Sequence, residues 1–498
     1  MRGGLMVCGT TSDAGKSFVV AGLCRLLARR GVSVAPFKAQ NMALNAAVTA
    51  DGAEIGHAQW VQAIAAGVEP TAAMNPILLK PTSDRTSQVV VMGQAVGDLS
   101  AADYHEAKRS LMPVVLRALA DVRARHHVVI CEGAGSPAEI NLLARDVVNL
   151  PLAHKAGLPA IVVGDIDRGG VFAALYGTVA LLPDHLRAAV RAFVINRLRG
   201  DPALLGDACA ELERSVGVPT LGVLPHMPGI DFDAEDSLAL DHADAEPLEL
   251  GETACDVLDV VAIRWPRVAN AGDLDPLRLE PHVHVRWVRS VADLGRPDLV
   301  LLPGSKHTRG DLAWFRERGL AGAVERCGAP VIAVCAGAQM IGCDIDDRAG
   351  VEGPPGGATG LGWLPLRTTY RADKVLDRPS GSAEAGPGAG QHVAGYRIHH
   401  GRVDGTDGAQ PWLVSDTGDP LGWHRDRVCG TTLHGLFEDD GFRSAVLAWA
   451  ARRGGKRWTP SEVRFADARL GRLDRIADAI ESHVDLDRLT AIIEQGAP

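Results

Sequence analysis

Nine residues near the amino terminus do most to restrict the fold: Gly9-Thr10-Thr11-Ser12-Asp13-Ala14-Gly15-Lys16-Ser17. Leu5 to Gly9 read as a short buried strand, and Ser17 to Arg30 read as a helix. A glycine loop ending in Lys-Ser between a strand and a helix suits a phosphate group. Backbone N–H groups and the helix N-terminus face the anion, the lysine reaches the terminal phosphates, and the serine can ligate Mg²⁺. Thr10, Thr11, Gly15, Lys16 and Ser17 are therefore the expected phosphate-binding residues. Five residues separate the two glycines, one more than in the usual spacing.

The same alternation continues downstream. Val32 to Phe37 form a strand ending at Lys38, which can neutralise a transferring phosphoryl group from there; position alone fits a solvated lysine equally well. His127 to Ile130 form a strand that ends in Cys131-Glu132-Gly133, where the carboxylate suits Mg²⁺. Pro159 to Gly164 lead into Asp165-Ile166-Asp167-Arg168. Ala192 to Ile195 lead into Asn196, whose amide could read an adenine edge, and Leu221 to Leu224 close the series. Strands alternating with helices imply a doubly wound parallel sheet with its polar groups at the carboxyl ends. Two polar stretches, Thr49 to Glu54 (with Asp51) and Asn75 to Asp84, read as loops.

From His226 to Asp256 prolines, glycines and acids replace the strand pattern, as in a linker. A second series then starts with Val260 to Ile263, Val285 to Val288, and Asp298 to Leu302 followed by Pro303-Gly304-Ser305-Lys306. Val331 to Val334 form the next strand, Cys335 follows at once, and Ala336 to Ile341 open a helix. A cysteine on such an elbow stands near the positive end of the helix, where a thiolate is favoured. Ala333, Ala336 and Gly337 are small enough for the tight backbone, although a buried structural cysteine fits the stretch as well. A thiol nucleophile needs a base close in space, and His434, in a strand read from Gly430 to Leu436, is the candidate. The amides of Ala336 and Gly304 are candidate oxyanion donors. Arg371 to Gln391 show little hydrophobic pattern, and helices dominate after Asp440.

The expected fold is thus α/β: a doubly wound parallel-sheet P-loop domain (1–226), an acidic linker (227–256), a flavodoxin-like α/β domain (257–445) and a helical tail (446–498). A phosphate site plus a thiol site suggest coupled work. One activates an acid by phosphorylation, and the other releases ammonia from an amide.

The formal charge of −10 argues against nucleic acid or an anionic membrane as partner. No apolar run is long enough to cross a bilayer, and the N-terminus lacks a signal-peptide core. Nine cysteines with no Cys-x-x-Cys pair read as reduced thiols, so the expected location is the cytoplasm. His399 and His400, adjacent in a strand, would point to opposite faces and make no metal site.

The glycine loop resembles that of dethiobiotin synthetase and its relatives. Together with Phe37-Lys38-Ala39-Gln40-Asn41-Met42-Ala43-Leu44-Asn45, Glu132 to Asn141, Asp165 to Ala173, Asn196 to Asp201, Pro303 to Lys306 and Leu433 to Phe437, it resembles the cobyric acid synthase family over nearly the whole chain. That resemblance implies amidation of the b, d, e and g carboxylates of adenosylcobyrinic acid a,c-diamide, with ATP, Mg²⁺ and L-glutamine. The corrinoid is a substrate, and small molecules are the partners implied; a homo-oligomer stays open. By resemblance Cys335 is the glutaminase nucleophile and His434 its base. Lys16, Ser17 and Glu132 match ATP–Mg²⁺ positions, with Asp51 as a further metal candidate, and Lys38 and Asn196 match nucleotide-site residues.

Several positions depart from the family pattern. Many glutaminases carry a carboxylate two residues after the histidine, whereas Leu436 stands here. No third triad member is therefore assigned, and the His434 pKa is expected to lack that source of elevation. The aromatic usual beside the nucleophile is Ala338, expected to weaken glutamine positioning. Asn-Phe-Thr-Asp is replaced by Asn270-Ala271-Gly272-Asp273, Lys-Asn-Thr by Lys306-His307-Thr308, and Tyr-Glu-Ile-His by Tyr396-Arg397-Ile398-His399. Two rival readings follow: the sister enzyme that amidates the a and c carboxylates, and an ATP-binding regulator with a relic glutaminase domain.

Overall fold

In the computed structural model, which describes residues 1–82, 86–230 and 256–496, the chain divides into two compact units. The first holds Met1–Ala43, Ala53–Asp233 and Arg469–Pro498, and the second holds Leu44–Gly52 and Ala234–Ala468. Most of the expected acidic linker, residues 231–255, lies outside the described residues.

The first unit is built on six parallel strands in the order Thr220–Pro225, Val190–Leu198, Ala160–Asp165, Gly3–Gly9, Val128–Glu132, Val34–Phe37. Their near-continuous apolar runs fit strands covered on both faces. Gly3–Gly9 is central and pairs on one side with Val128–Glu132 and on the other with Ala160–Asp165. The strand order turns there, which places the glycine loop and Glu132 at neighbouring carboxyl ends. Helix Lys16–Arg29 buries Val19, Val20, Leu23, Leu26 and Leu27 against the sheet.

The helical tail is not one separate segment. Helix Asp440–Arg453 buries Phe442, Val446, Leu447 and Ala450 in the core of the second unit. From Arg469 onward the chain belongs to the first unit, where Leu473, Ile476, Ile480, Leu489 and Ile493 join the core. The fit is close: a Cβ on Gly22 would lie 2.5 Å from side-chain atoms of both Ile476 and Ile480. Arg25 also grips Asp474 through two hydrogen bonds of 2.7 and 3.1 Å. The apolar stripe on these C-terminal helices thus covers helix Lys16–Arg29, and burial of that stripe fixes where the tail goes.

The polar stretches read as loops are partly strands. Ile77–Pro81 lies in a four-stranded sheet with Gln40–Met42, Thr86–Val91 and Gln94–Ser100, while residues 83–85 lie outside the described set. Its charged member is accommodated because buried Lys80 Nζ donates to buried Glu54 Oε1 at 2.7 Å.

The second unit has a nine-stranded sheet. Five parallel strands come in the order Val283–Val288, Leu258–Ile263, Leu299–Leu302, Val331–Val334, Val428–Thr431, the 2-1-3-4-5 arrangement of a flavodoxin-like fold. Antiparallel strands Pro420–Arg425, Gln410–Ser415, Ser380–Ala383 and His392–Ala394 extend it. The patternless stretch from Arg371 holds the end of strand Leu366–Asp377, which pairs with Arg397–Gly405. The strand expected from Gly430 to Leu436 stops at Thr431, leaving His434 on the following loop. Segment Leu44–Gly52 packs along the loop before Asp273: Ala46 N–H donates to Asn270 Oδ1 at 3.0 Å, and Ala271 N–H to Asn45 Oδ1 at 3.2 Å.

Candidate active site

The phosphate loop has the geometry its sequence requires. Gly15 precedes helix Lys16–Arg29 with φ of 95°, and a Cβ there would sit 2.0 Å from Asn196 Nδ2. Glycine is needed both for the left-handed backbone and for this approach. Asn196, buried beneath the loop, donates from Nδ2 to the Ala14 carbonyl at 3.1 Å. Thr10 N–H donates to the Val163 carbonyl at 2.9 Å, tying the loop to the neighbouring strand. Lys16 Nζ donates to the carbonyls of Thr11 and Ser12 at 2.8 and 2.9 Å, so it follows the curve of the loop.

Glu132 is the hub of this end of the sheet. Its Oε1 accepts from Ser17 Oγ and from Lys38 Nζ, each at 2.8 Å, and its Oε2 accepts from Gln62 Nε2 at 2.5 Å. Glu132 and Lys38 are both buried, and their opposite charges compensate the loss of water. The Ser17 hydroxyl and the Glu132 carboxylate are hard oxygen donors meeting at one point, a set that fits Mg²⁺. Gln62 carried no sequence signal, because an amide on an amphipathic helix is ordinarily a surface residue. Asp51 is not brought to this cluster within the first unit. It lies in the segment that packs with the second, where its carboxylate accepts from the Thr49 hydroxyl.

The second unit forms the cysteine elbow. Cys335 has φ of 54° and ψ of −112°, an unusual backbone for a side chain with a Cβ and the strained form expected of a nucleophile between strand and helix. Its N–H donates to the Thr431 carbonyl at 2.7 Å. Gly337 must be glycine, since a Cβ would stand 2.1 Å from the Leu302 carbonyl oxygen. Ala336 begins the helix, so its N–H is among those at the open N-terminal end. Gly304 lies against His434: a Cβ there would be 3.0 Å from His434 Cε1. Trp265 Nε1 donates to the Gly304 carbonyl at 3.0 Å and holds that loop.

His434 lies close enough to the Cys335 sulfur for the two to interact electrostatically. Its Nδ1 donates to Asp273 Oδ2 at 2.7 Å, and Gly435 N–H donates to Asp273 Oδ1 at 2.8 Å. Asp273 thus provides beside His434 the carboxylate that Leu436 could not. It comes from a different loop, 161 positions earlier in the chain. Its signal was visible, since Asp273 is the residue retained from the family's Asn-Phe-Thr-Asp, but its partner was not. The expectation for the His434 pKa is corrected accordingly. Burial pulls it down, yet the Asp273 carboxylate, the Cys335 sulfur and the hydrogen bond to Asp273 outweigh burial and raise it to about 10. Tyr396 stacks on the ring at 5.4 Å and fixes its plane.

Ala338 is fully buried among core residues of the second unit. The next residue, Gln339, is held by Tyr370, whose hydroxyl donates to Gln339 Oε1 at 2.7 Å. His399 and His400 lie in strand Arg397–Gly405 and bond different backbone carbonyls, those of Gly401 and Arg371. No group of three or more metal-ligating His, Cys, Asp or Glu side chains occurs among the described residues.

Asp273→Asn is expected to lower glutamine-dependent turnover by about a hundred- to ten-thousand-fold, because the amide no longer holds the imidazolium. It also removes the anion that raises the His434 pKa. Between about 6.5, the ordinary value, and about 10, wild-type His434 keeps a proton that the variant loses. In the wild type this group's contribution to stability is fully present below 6.5 and is lost as pH rises towards 10. That part of the pH slope should vanish in the variant, and imidazole NMR titration would reveal an unchanged pKa if the assignment were wrong.

Comparison with known proteins gives two matches to families. Residues 5–238 match the CobQ/CobB/MinD/ParA nucleotide binding domain, and residues 259–442 match the CobB/CobQ-like glutamine amidotransferase domain. Among similar curated proteins, the cobyric acid synthase of Rhodococcus jostii (strain RHA1) is 49% identical over 505 residues, covering 100% of this chain and 96% of that protein. Those of Streptomyces avermitilis and Nocardia farcinica are each 48% identical and cover 100% of this chain and 98% of theirs.

Proposed function

We propose that this chain, which belongs to the cobyric acid synthase family of glutamine-dependent amidotransferases, amidates the b, d, e and g carboxylates of adenosylcobyrinic acid a,c-diamide. One observation carries the reading furthest: an elbow cysteine beside a histidine that an aspartate orients, in a chain that also carries a complete phosphate loop. The triad favours a working glutaminase over a relic domain.

Cys335 attacks the glutamine carboxamide while His434 carries the proton of the pair and gives it to departing ammonia, and the amides of Ala336 and Gly304 receive the oxyanion. Water then releases glutamate from the thioester. In the first unit Lys16 and Lys38 neutralise the phosphoryl group as it moves from ATP to a corrinoid carboxylate. Asn196 holds the loop and, through its amide, takes part in nucleotide binding. Ser17 and Glu132 would hold a Mg²⁺ ion, which would supply charge neutralisation at the phosphate oxygens. Ammonia displaces phosphate from the acyl phosphate to give the amide. Small molecules are the substrates throughout; no helix among the described residues is long and apolar enough to cross a membrane, and we place the reaction in the cytoplasm.

Mass spectrometry of the corrinoid after incubation with ATP and glutamine tests this. Four successive replacements of a hydroxyl by an amino group are expected, and a product stopping at two amidations of cobyrinic acid would select the sister reaction instead.

A further inference from the structure

We propose that His399 is a binding residue for the amide donor: its Nε2 accepts a hydrogen bond from an N–H of the glutamine held at Cys335. The inference rests on the glutaminase reading above.

His399 lies in strand Arg397–Gly405, on the same face as Gly401 two residues on. That face looks at Gln339, on the short helix after the cysteine, since a Cβ on Gly401 would be 2.9 Å from Gln339 Nε2. Gly401 also pairs across the ladder with Tyr370, whose hydroxyl reaches Gln339. Just before the same strand, Tyr396 stacks on His434. His399 thus stands between the Gln339–Tyr370 contact and the catalytic histidine.

Its hydrogen bonding is half complete. Nδ1 lies 2.7 Å from the Gly401 carbonyl, which can only accept, so Nδ1 carries the proton. Nε2 is then a bare acceptor, and it has no hydrogen-bond partner among the described residues although the side chain is only 8% exposed. Burial dominates its titration and pushes the pKa down to about 3, so the ring stays neutral and cannot donate from Nε2. A buried acceptor without a donor is costly, and such groups are rare outside sites where something else completes them. Cys335 and His434 are as deeply buried as His399, so the ring lies at the same depth as the residues that a bound glutamine must reach. Glutamine brings N–H donors on its side-chain amide and on its α-ammonium. Its hydrolysis product keeps only the latter.

The test uses the full-length chain with Cys335→Ala, which binds glutamine without turning it over. Calorimetry would compare this parent with His399→Phe, which keeps a ring but no acceptor, and with His399→Gln, whose Oε1 can take the place of Nε2. Loss of one such bond is expected to raise the Kd for glutamine about tenfold in the Phe variant, with the Gln variant within about threefold of the parent. Glutamate separates the two donors. Unchanged glutamate binding in the Phe variant identifies the side-chain amide, and a parallel loss identifies the α-ammonium. Parental glutamine affinity in a Phe variant with an unchanged Tm overturns the proposal, as does a Gln variant as weak as the Phe variant. If instead wild-type glutamine hydrolysis persisted after Cys335→Ala, the glutaminase reading itself would fail, independently of His399.

Discussion

Cys335→Ser should abolish glutamine-dependent amidation while amidation driven by high external ammonium continues. The serine hydroxyl is far less acidic than a thiol, so His434 cannot generate a comparable nucleophile. Loss of a nucleophile from a triad typically costs about a million-fold, and at least about ten-thousand-fold is expected here. The geometry argues that the loss is chemical. The residue stays at φ of 54°, its N–H still donates to Thr431, and serine is no larger than cysteine. Ammonia from the medium bypasses the thiol because it attacks the acyl phosphate directly, without a thioester. A paired assay on one purified variant decides the matter, and substantial glutamine-dependent product would remove Cys335 from the mechanism.

Lys16→Ala should instead suppress product formation with either nitrogen source, because both need the activated carboxylate. Lys16 is the flexible cation of the phosphate loop, held by the carbonyls of Thr11 and Ser12 and free to exchange them for phosphate oxygens. Removing one such group from a charge-stabilising site costs about a hundred- to a thousand-fold. Lys38 does not replace it, since its ammonium stands at Glu132, 2.8 Å away, and not along the loop. Glutamine hydrolysis, proposed for Cys335, should be unaffected by the lysine substitution and is the internal control. Normal ammonium-driven amidation by the lysine variant would rule out the phosphate-loop role.

The two sites differ in how much of them local sequence could express. Gly9 to Ser17 read correctly because strand, glycine loop and helix are contiguous, and Gly15 follows from its own φ. The elbow was equally legible, since Val331–Val334, Cys335 and Ala336–Met340 are adjacent and small residues announce the tight turn. The flavodoxin-like strand order could be anticipated, because parallel strands joined by helices have few arrangements open to them.

What the sequence determined by itself was therefore the pieces whose geometry is set within a few residues: which runs are strands, where glycine is obligatory, which cysteine sits on an elbow. Tertiary structure alone decided the rest. Asp273 meets His434 only because two loops converge at one end of a sheet, and Gln62 meets Glu132 because a helix lays that face over a strand end. The C-terminal helices from Arg469 return to the first unit, and Leu44–Gly52 leaves it for the second. None of these contacts has a local signature, because an apolar stripe specifies that it must be buried and leaves open which partner buries it. That choice is made by packing across the whole chain, and with it come the partner that raises the His434 pKa and the unfilled acceptor on His399.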